Sequence, residues 1–229
     1  MNIQNISLTD DDFEAKINDL KKRLKSRMNG KTSEQMNNTQ VHYAINYGLD
    51  IKHIKELASE SDYSADDCRR FWKLNIRESM LIAAMCLKDD AATADEISEW
   101  AKYVATPDMA EQSSFYLFRR VDDVDKFVSN VISQGGDYSR CIAYFTTARV
   151  LQSHKSVKQS TLDALLGMIE DCNTPSMADV RGMSFLLRQL VACGLCIERV
   201  GNLVDGFSKR EELPLKQLAY EVRCEMDMQ

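Results

Sequence analysis

Proline and glycine are scarce in this chain, three and nine among 229 residues, and runs of alternating β-branched residues are nearly absent. Sandwiches and barrels need many strands and turn residues, so they are excluded. No apolar run approaches the length of a membrane span. The N-terminal "MNIQNISLTDDDFEAKI" is acidic and lacks the apolar core of a secretory signal, so neither a membrane nor export is expected. Histidine occurs only at His42, His53 and His154, too scattered for a metal site or a catalytic triad. No Gly-rich phosphate loop occurs, since "SQGGDYS" reads as a turn between helices. No cofactor and no metal are therefore expected.

Seven cysteines form no short-spaced framework, and the expectation is reduced thiols in a cytoplasmic protein. The stretch "CGLC" (Cys193–Cys196) has redox or metal spacing but no second pair and no nearby histidine, and it spans a helix junction. Positive charge is also short, 29 Lys and Arg against 35 Asp and Glu, a net −6. That weighs against nucleic acid as a partner, although only the local field meets DNA.

What is abundant is helical pattern. Apolar residues recur at spacings of three and four along nearly the whole chain, which makes it all-α. Ser or Thr followed three residues later by an acid marks helix starts at Thr9–Asp12, Ser64–Asp67, Thr93–Glu96, Ser160–Asp163 and Ser176–Asp179, and Asn75–Glu78 reads as the same device. Pro107, Pro175 and Pro214 fall at or near further starts. Helices are expected at about 9–28, 33–46, 50–60, 64–74, 76–88, 93–104, 107–120, 123–133, 137–153, 159–171, 176–193, 196–208 and 213–225. Their short connections and a pair period of roughly thirty to forty residues predict one HEAT-like α-solenoid over 1–229.

"FWKLNIRESMLIAAMCL" (Phe71–Leu87) joins two such helices, and the second is apolar on all sides, as an inner helix of a stacked array would be. Glu78 reads as the returning acid of a cap. Arg77 is either its surface neighbour or a phosphate contact. Together with "INYGLDIKHIKELA" (Ile45–Ala58) and the ending "YEVRCEMDM" (Tyr220–Met228), this stretch resembles the DNA alkylation repair proteins with HEAT-like repeats.

The resemblance implies a basic concave face that cups alkylated duplex DNA. It also implies, for active members, a monofunctional glycosylase removing N3- or N7-alkylpurines. A carboxylate near the sugar stabilises the oxocarbenium-like transition state, an arginine anchors the phosphate, and aromatic rings hold the sugar. In "EWAKYVATPDMAEQSSFYLF" (Glu99–Phe118) the resemblance puts Glu111 at the position of the catalytic aspartate and Asp108 at that of an earlier acid. Pro107 stands where the family carries a stacking tryptophan. Tyr103, Phe115 and Tyr116 are the aromatics nearby. Arg140, in "DYSRCIAYFTTARVL" (Asp137–Leu151), matches the phosphate-holding arginine.

Glu111 is one methylene longer than aspartate, and misplacement by an ångström can cost about a hundredfold in rate. Read from the residues alone, Asp108 and Glu111 are first-turn acids that complement a helix dipole. Arg140 equally suits a salt bridge to the next repeat. Lys73, Arg77, Arg119, Arg149 and Arg188, with Arg69, Arg70, Arg120 and Arg181, recur once or twice per unit. They form either a phosphate-tracking row or ordinary solvated faces. Two functions follow: a monomeric DNA-binding repair protein and hydrolase, or a non-catalytic HEAT-like module that binds DNA structures or a protein partner.

Overall fold

A computed structural model describes residues 11–38, 43, 45–89 and 91–228; the expected start at Thr9 and His42 lie outside them. Thirteen α-helices account for most of the described residues, and no β-strand occurs among them. The chain divides into two compact units, Met1–Leu87 and Lys88–Gln229.

The first unit holds α1 (Asp11–Ser26), α2 (Gly30–Asn38), α3 (Ile51–Ser59), α4 (Ala65–Lys73) and α5 (Arg77–Cys86). Helix α5 packs on α3 and α4, and Arg77 through Ala84 are all buried. The helix expected over 33–46 is corrected, since α2 ends at Asn38 and α3 starts at Ile51. Residues 46–50 lie outside any helix, and Ile45 forms an isolated parallel bridge with Ile76. Gly48 permits this path: its φ is +69°, and a Cβ there would lie 2.4 Å from the Asn29 carbonyl oxygen.

The second unit holds α6 (Ala94–Ala101), α7 (Pro107–Tyr116), a short 3₁₀ turn (Phe118–Arg120), α8 (Val124–Gln134), α9 (Ser139–Gln152), α10 (Gln159–Glu170), α11 (Met177–Ala192), α12 (Ile197–Ser208) and α13 (Leu213–Asp227). Helix α9 packs against α7, α8 and α11, and α11 packs on α13. This central position explains why α9 is buried from Cys141 to Ala148 without a break. Gly182 lets α11 approach, since a Cβ there would meet the Tyr144 side chain at 3.2 Å.

Ser64–Asp67 and Ser176–Asp179 are complete capping boxes, and Thr93 caps α6 by accepting the Glu96 N–H. Two expected caps are corrected. Ile76, not Asn75, precedes α5, and Asn75 adopts the left-handed region at φ 54°. Helix α10 begins after Lys158, and no side chain caps it, so Ser160 lies inside the helix. The seven cysteines are free thiols.

Candidate nucleic-acid interface

Helix α7 is started by Thr106, whose Oγ1 accepts the Met109 N–H at 3.1 Å, with Pro107 in the first turn. Its four-residue steps put Glu111, Phe115 and, just past its end, Arg119 on one face. Helix α11 offers Arg181 and Phe185 at the same step. Arg149 of α9 lies between the two rows, its Cζ 4.9 Å from the Phe115 ring centroid and 4.3 Å from that of Phe185. Arg119 shares Phe115, with Cζ at 4.5 Å.

The two guanidiniums are held in place by hydrogen bonds as well as by stacking. Arg149 Nη1 donates to Gln152 Oε1 at 2.8 Å. Arg119 Nη1 donates to Ser153 Oγ at 3.4 Å, and that hydroxyl donates to the Arg149 carbonyl oxygen at 2.9 Å. Both Nε atoms are buried without a partner. Burial pulls Arg149 below the usual arginine value, while the Glu111 charge opposes that shift and Arg119 adds to it. Glu111 itself accepts from Arg181, Oε2 to Nη2 at 2.7 Å. Arg181 thus pairs with the acid and Arg149 feels its charge, while Arg119 stacks alongside on Phe115, a locally basic patch on an acidic chain.

Several expected site residues are placed elsewhere. Arg77 is 2% exposed, and its Nη1 donates to the Leu49 carbonyl oxygen, so it leaves the DNA-facing row. A backbone carbonyl in a low-dielectric core outcompetes solvent for that guanidinium. Glu78 is no cap: it accepts the backbone N–H groups of Tyr47 and Leu49. Arg140 pairs with buried Asp179 at 2.8 Å, the salt-bridge alternative, and so steadies the capping box of α11. Arg188 pairs with Glu225 at 3.4 Å on an exposed face. Asp108 lies half-buried in the first turn of α7, where it complements the helix dipole. Lys73 is exposed on the first unit.

The structure thus brings together Glu111, Phe115, Arg119, Arg149 and Arg181 from the expected residues and adds Phe185. Phe185 was not foreseen. Its signal is the four-residue step from Arg181, but no sequence rule says that α11 faces α7 across α9. Among the described residues no cluster of three or more His, Cys, Asp or Glu could hold a metal ion, and no helix is long and apolar enough to cross a membrane.

The model of the DNA alkylation repair enzyme family matches residues 20–190. No curated protein matches the chain in sequence. A solved structure shares the fold at a TM-score of 0.75 and 12% identity, covering 92% of this chain and 94% of the other. That structure is described as representing "a new family of proteins related to the HEAT-like repeat DNA glycosylases with affinity for branched DNA structures". At this identity the likeness establishes a HEAT-like repeat fold.

Proposed function

The chain belongs to the DNA alkylation repair enzyme family, and from that premise we propose that it binds DNA through the Arg119–Phe115–Arg149–Phe185 cluster. The observation that carries this is Arg149 held between two rings, with Arg119 stacked on one of them. A guanidinium stacked on an aromatic face keeps its edge free to grip a phosphate and loses little side-chain entropy on binding. DNA phosphates are the polyanion this family meets. The structural neighbour's described affinity for branched DNA makes a junction the preferred form over linear duplex.

A salt series on labelled linear duplex and four-way junction tests this. Binding should weaken steeply with salt, by a slope of about 0.9 per phosphate contacted. Absence of binding at low salt would remove DNA as the partner and leave the protein-scaffold reading.

Excision of a cationic alkylpurine is the second reading, favoured by an acid, Glu111, beside the cluster. Such a base leaves as a neutral molecule, so the site need only stabilise the sugar cation with a carboxylate and admit water. Release of 7-methylguanine from alkylated duplex by the wild type, lost in Glu111→Gln, is the expected result of that reading. No release by the wild type sinks it without touching DNA binding.

A further inference from the structure

We propose that the Glu111 carboxylate is an internal stand-in for a DNA phosphate, a counter-ion that must be displaced from Arg181 before the arginine cluster takes a phosphate group. The proposal rests on the DNA-binding reading and names what regulates that site.

Glu111 and Arg181 are 70 residues apart in sequence, yet Oε2 and Nη2 meet at 2.7 Å. The neighbouring inner-helix pair, Arg188 with Glu225, is looser at 3.4 Å. The Glu111 side chain is 25% exposed and that of Arg181 60%, so the acid lies inside and the base reaches over it from solvent. The same carboxylate acts on Arg149, supporting its charge against burial. Glu111 also stands one helical step from Phe115, the ring on which both Arg119 and Arg149 stack. One acid is thus shared between two guanidiniums, those of Arg181 and Arg149, with Arg119 next to them in the stack.

A carboxylate and a phosphate present pairs of oxygens to the guanidinium fork in much the same way. The place where Glu111 meets Arg181 is therefore a place that fits a phosphate oxygen. While Glu111 occupies it, Arg181 is neutralised and an incoming phosphate is repelled by the acid beside it. Phosphate binding must either pull Arg181 away or push Glu111 aside. The pair sets a threshold: ligands that engage several arginines at once cross it, and those offering one isolated phosphate do not.

The test compares wild type, Glu111→Gln, Glu111→Ala, Arg181→Gln and the double variant Glu111→Gln/Arg181→Gln, by fluorescence anisotropy on labelled four-way junction across a salt series. Removing the acid should tighten binding about tenfold at low salt and steepen the salt slope by about 1, because Arg181 becomes a new phosphate contact. Arg181→Gln should bind more weakly than wild type, since it frees the acid and loses a cation. In the double variant the salt slope should not rise above that of Arg181→Gln, because no freed cation is left to add a phosphate contact. Glu111→Gln and Glu111→Ala binding no tighter than a wild type that does bind would overturn the counter-ion role and leave DNA binding standing. If no variant binds DNA, the DNA-binding reading falls, and inorganic phosphate becomes the probe in a thermal-shift titration. Stabilisation of Glu111→Gln at lower phosphate than wild type then supports the anion site, and identical titrations overturn it.

Discussion

Arg77 Nη1 donates to the main-chain carbonyl oxygen of Leu49 at 2.9 Å, from a side chain with almost no exposure to solvent. Its sequence neighbour Glu78 receives the N–H groups of Tyr47 and Leu49 at 3.0 and 3.3 Å. Together with the Arg77 N–H donated to the Ile45 carbonyl oxygen, the pair ties the non-helical 45–50 segment to the mouth of α5. An ion pair opens an apolar helix because the segment beside it has backbone groups that no helix or sheet satisfies.

Breaking that tie leaves one buried charge and several orphaned backbone groups. Glu78→Gln and Arg77→Met are each expected to lower unfolding free energy by about 3–5 kcal/mol in urea denaturation. Where Arg77→Met remains folded, its salt slope for DNA binding should equal that of the wild type. A slope lower by about 1 would place Arg77 on a phosphate after all.

Arg149 and Arg119 make the opposite forecast, large for binding and small for folding. Each is partly exposed, and each is expected to contribute about one phosphate contact. Arg149→Ala and Arg119→Ala should each reduce the salt slope by about 0.9. Phe115→Leu should weaken binding without removing a charge, because it dissolves the stack under both guanidiniums. Salt slopes unchanged in both arginine variants would sink the cluster as the interface.

The sequence carries the helices clearly because each inner helix announces itself by unbroken apolar periodicity, and two of the starts by a Ser-x-x-Asp box whose partners are three residues apart. Glu78 shows where such reading stops. Asn75–Glu78 has the spacing of a cap, but the carboxylate finds better donors 29 and 31 residues earlier in the chain. The site behaves alike. Glu111, Phe115 and Arg119 share a face by simple four-residue arithmetic. Their meeting with Arg181 and Phe185 depends on how α9 separates α7 from α11, which no local spacing encodes. Arg140 falls between: its repeat-to-repeat salt bridge is legible as an alternative, and Asp179 decides it.

Asp67 gives a pH-dependent prediction. Burial works to raise its carboxyl, but hydrogen bonds from Ser64 and the Lys16 ammonium outweigh burial and hold it below the usual carboxylate range. A carboxylate whose folded pKa is depressed stabilises the fold above its unfolded value, about 3.9. That contribution is lost as pH falls through the lower folded value. Asp67→Asn should cost about 1–2 kcal/mol at pH 7, as loss of a cap does. The gap between variant and wild type should close below about pH 4. A gap that stays constant down to pH 2.5 in acid-unfolding curves would refute the capping role.

Thiol reactivity reports on the same layer of helices. Cys141 is fully buried on α9, and burial, helped by the nearby charges of Asp179 and Glu111, pushes its thiol up to about 12. At pH 8 only on the order of 10⁻⁴ of such a thiol is thiolate, and alkylation needs the thiolate. Cys193, at the end of α11, is exposed and merely accepts a hydrogen bond from Gln189 at 3.3 Å. Iodoacetamide at pH 8 should therefore label Cys193 within minutes and leave Cys141 intact. Labelling of Cys141 should appear with urea along the global unfolding curve, because α9 is packed by α7, α8 and α11 and cannot open alone. Peptide mass mapping across a urea series checks this. Modification of Cys141 well before the unfolding midpoint would mean that α9 parts from its neighbours locally, and a cluster resting on Arg149 would then not be rigid enough to hold its stack.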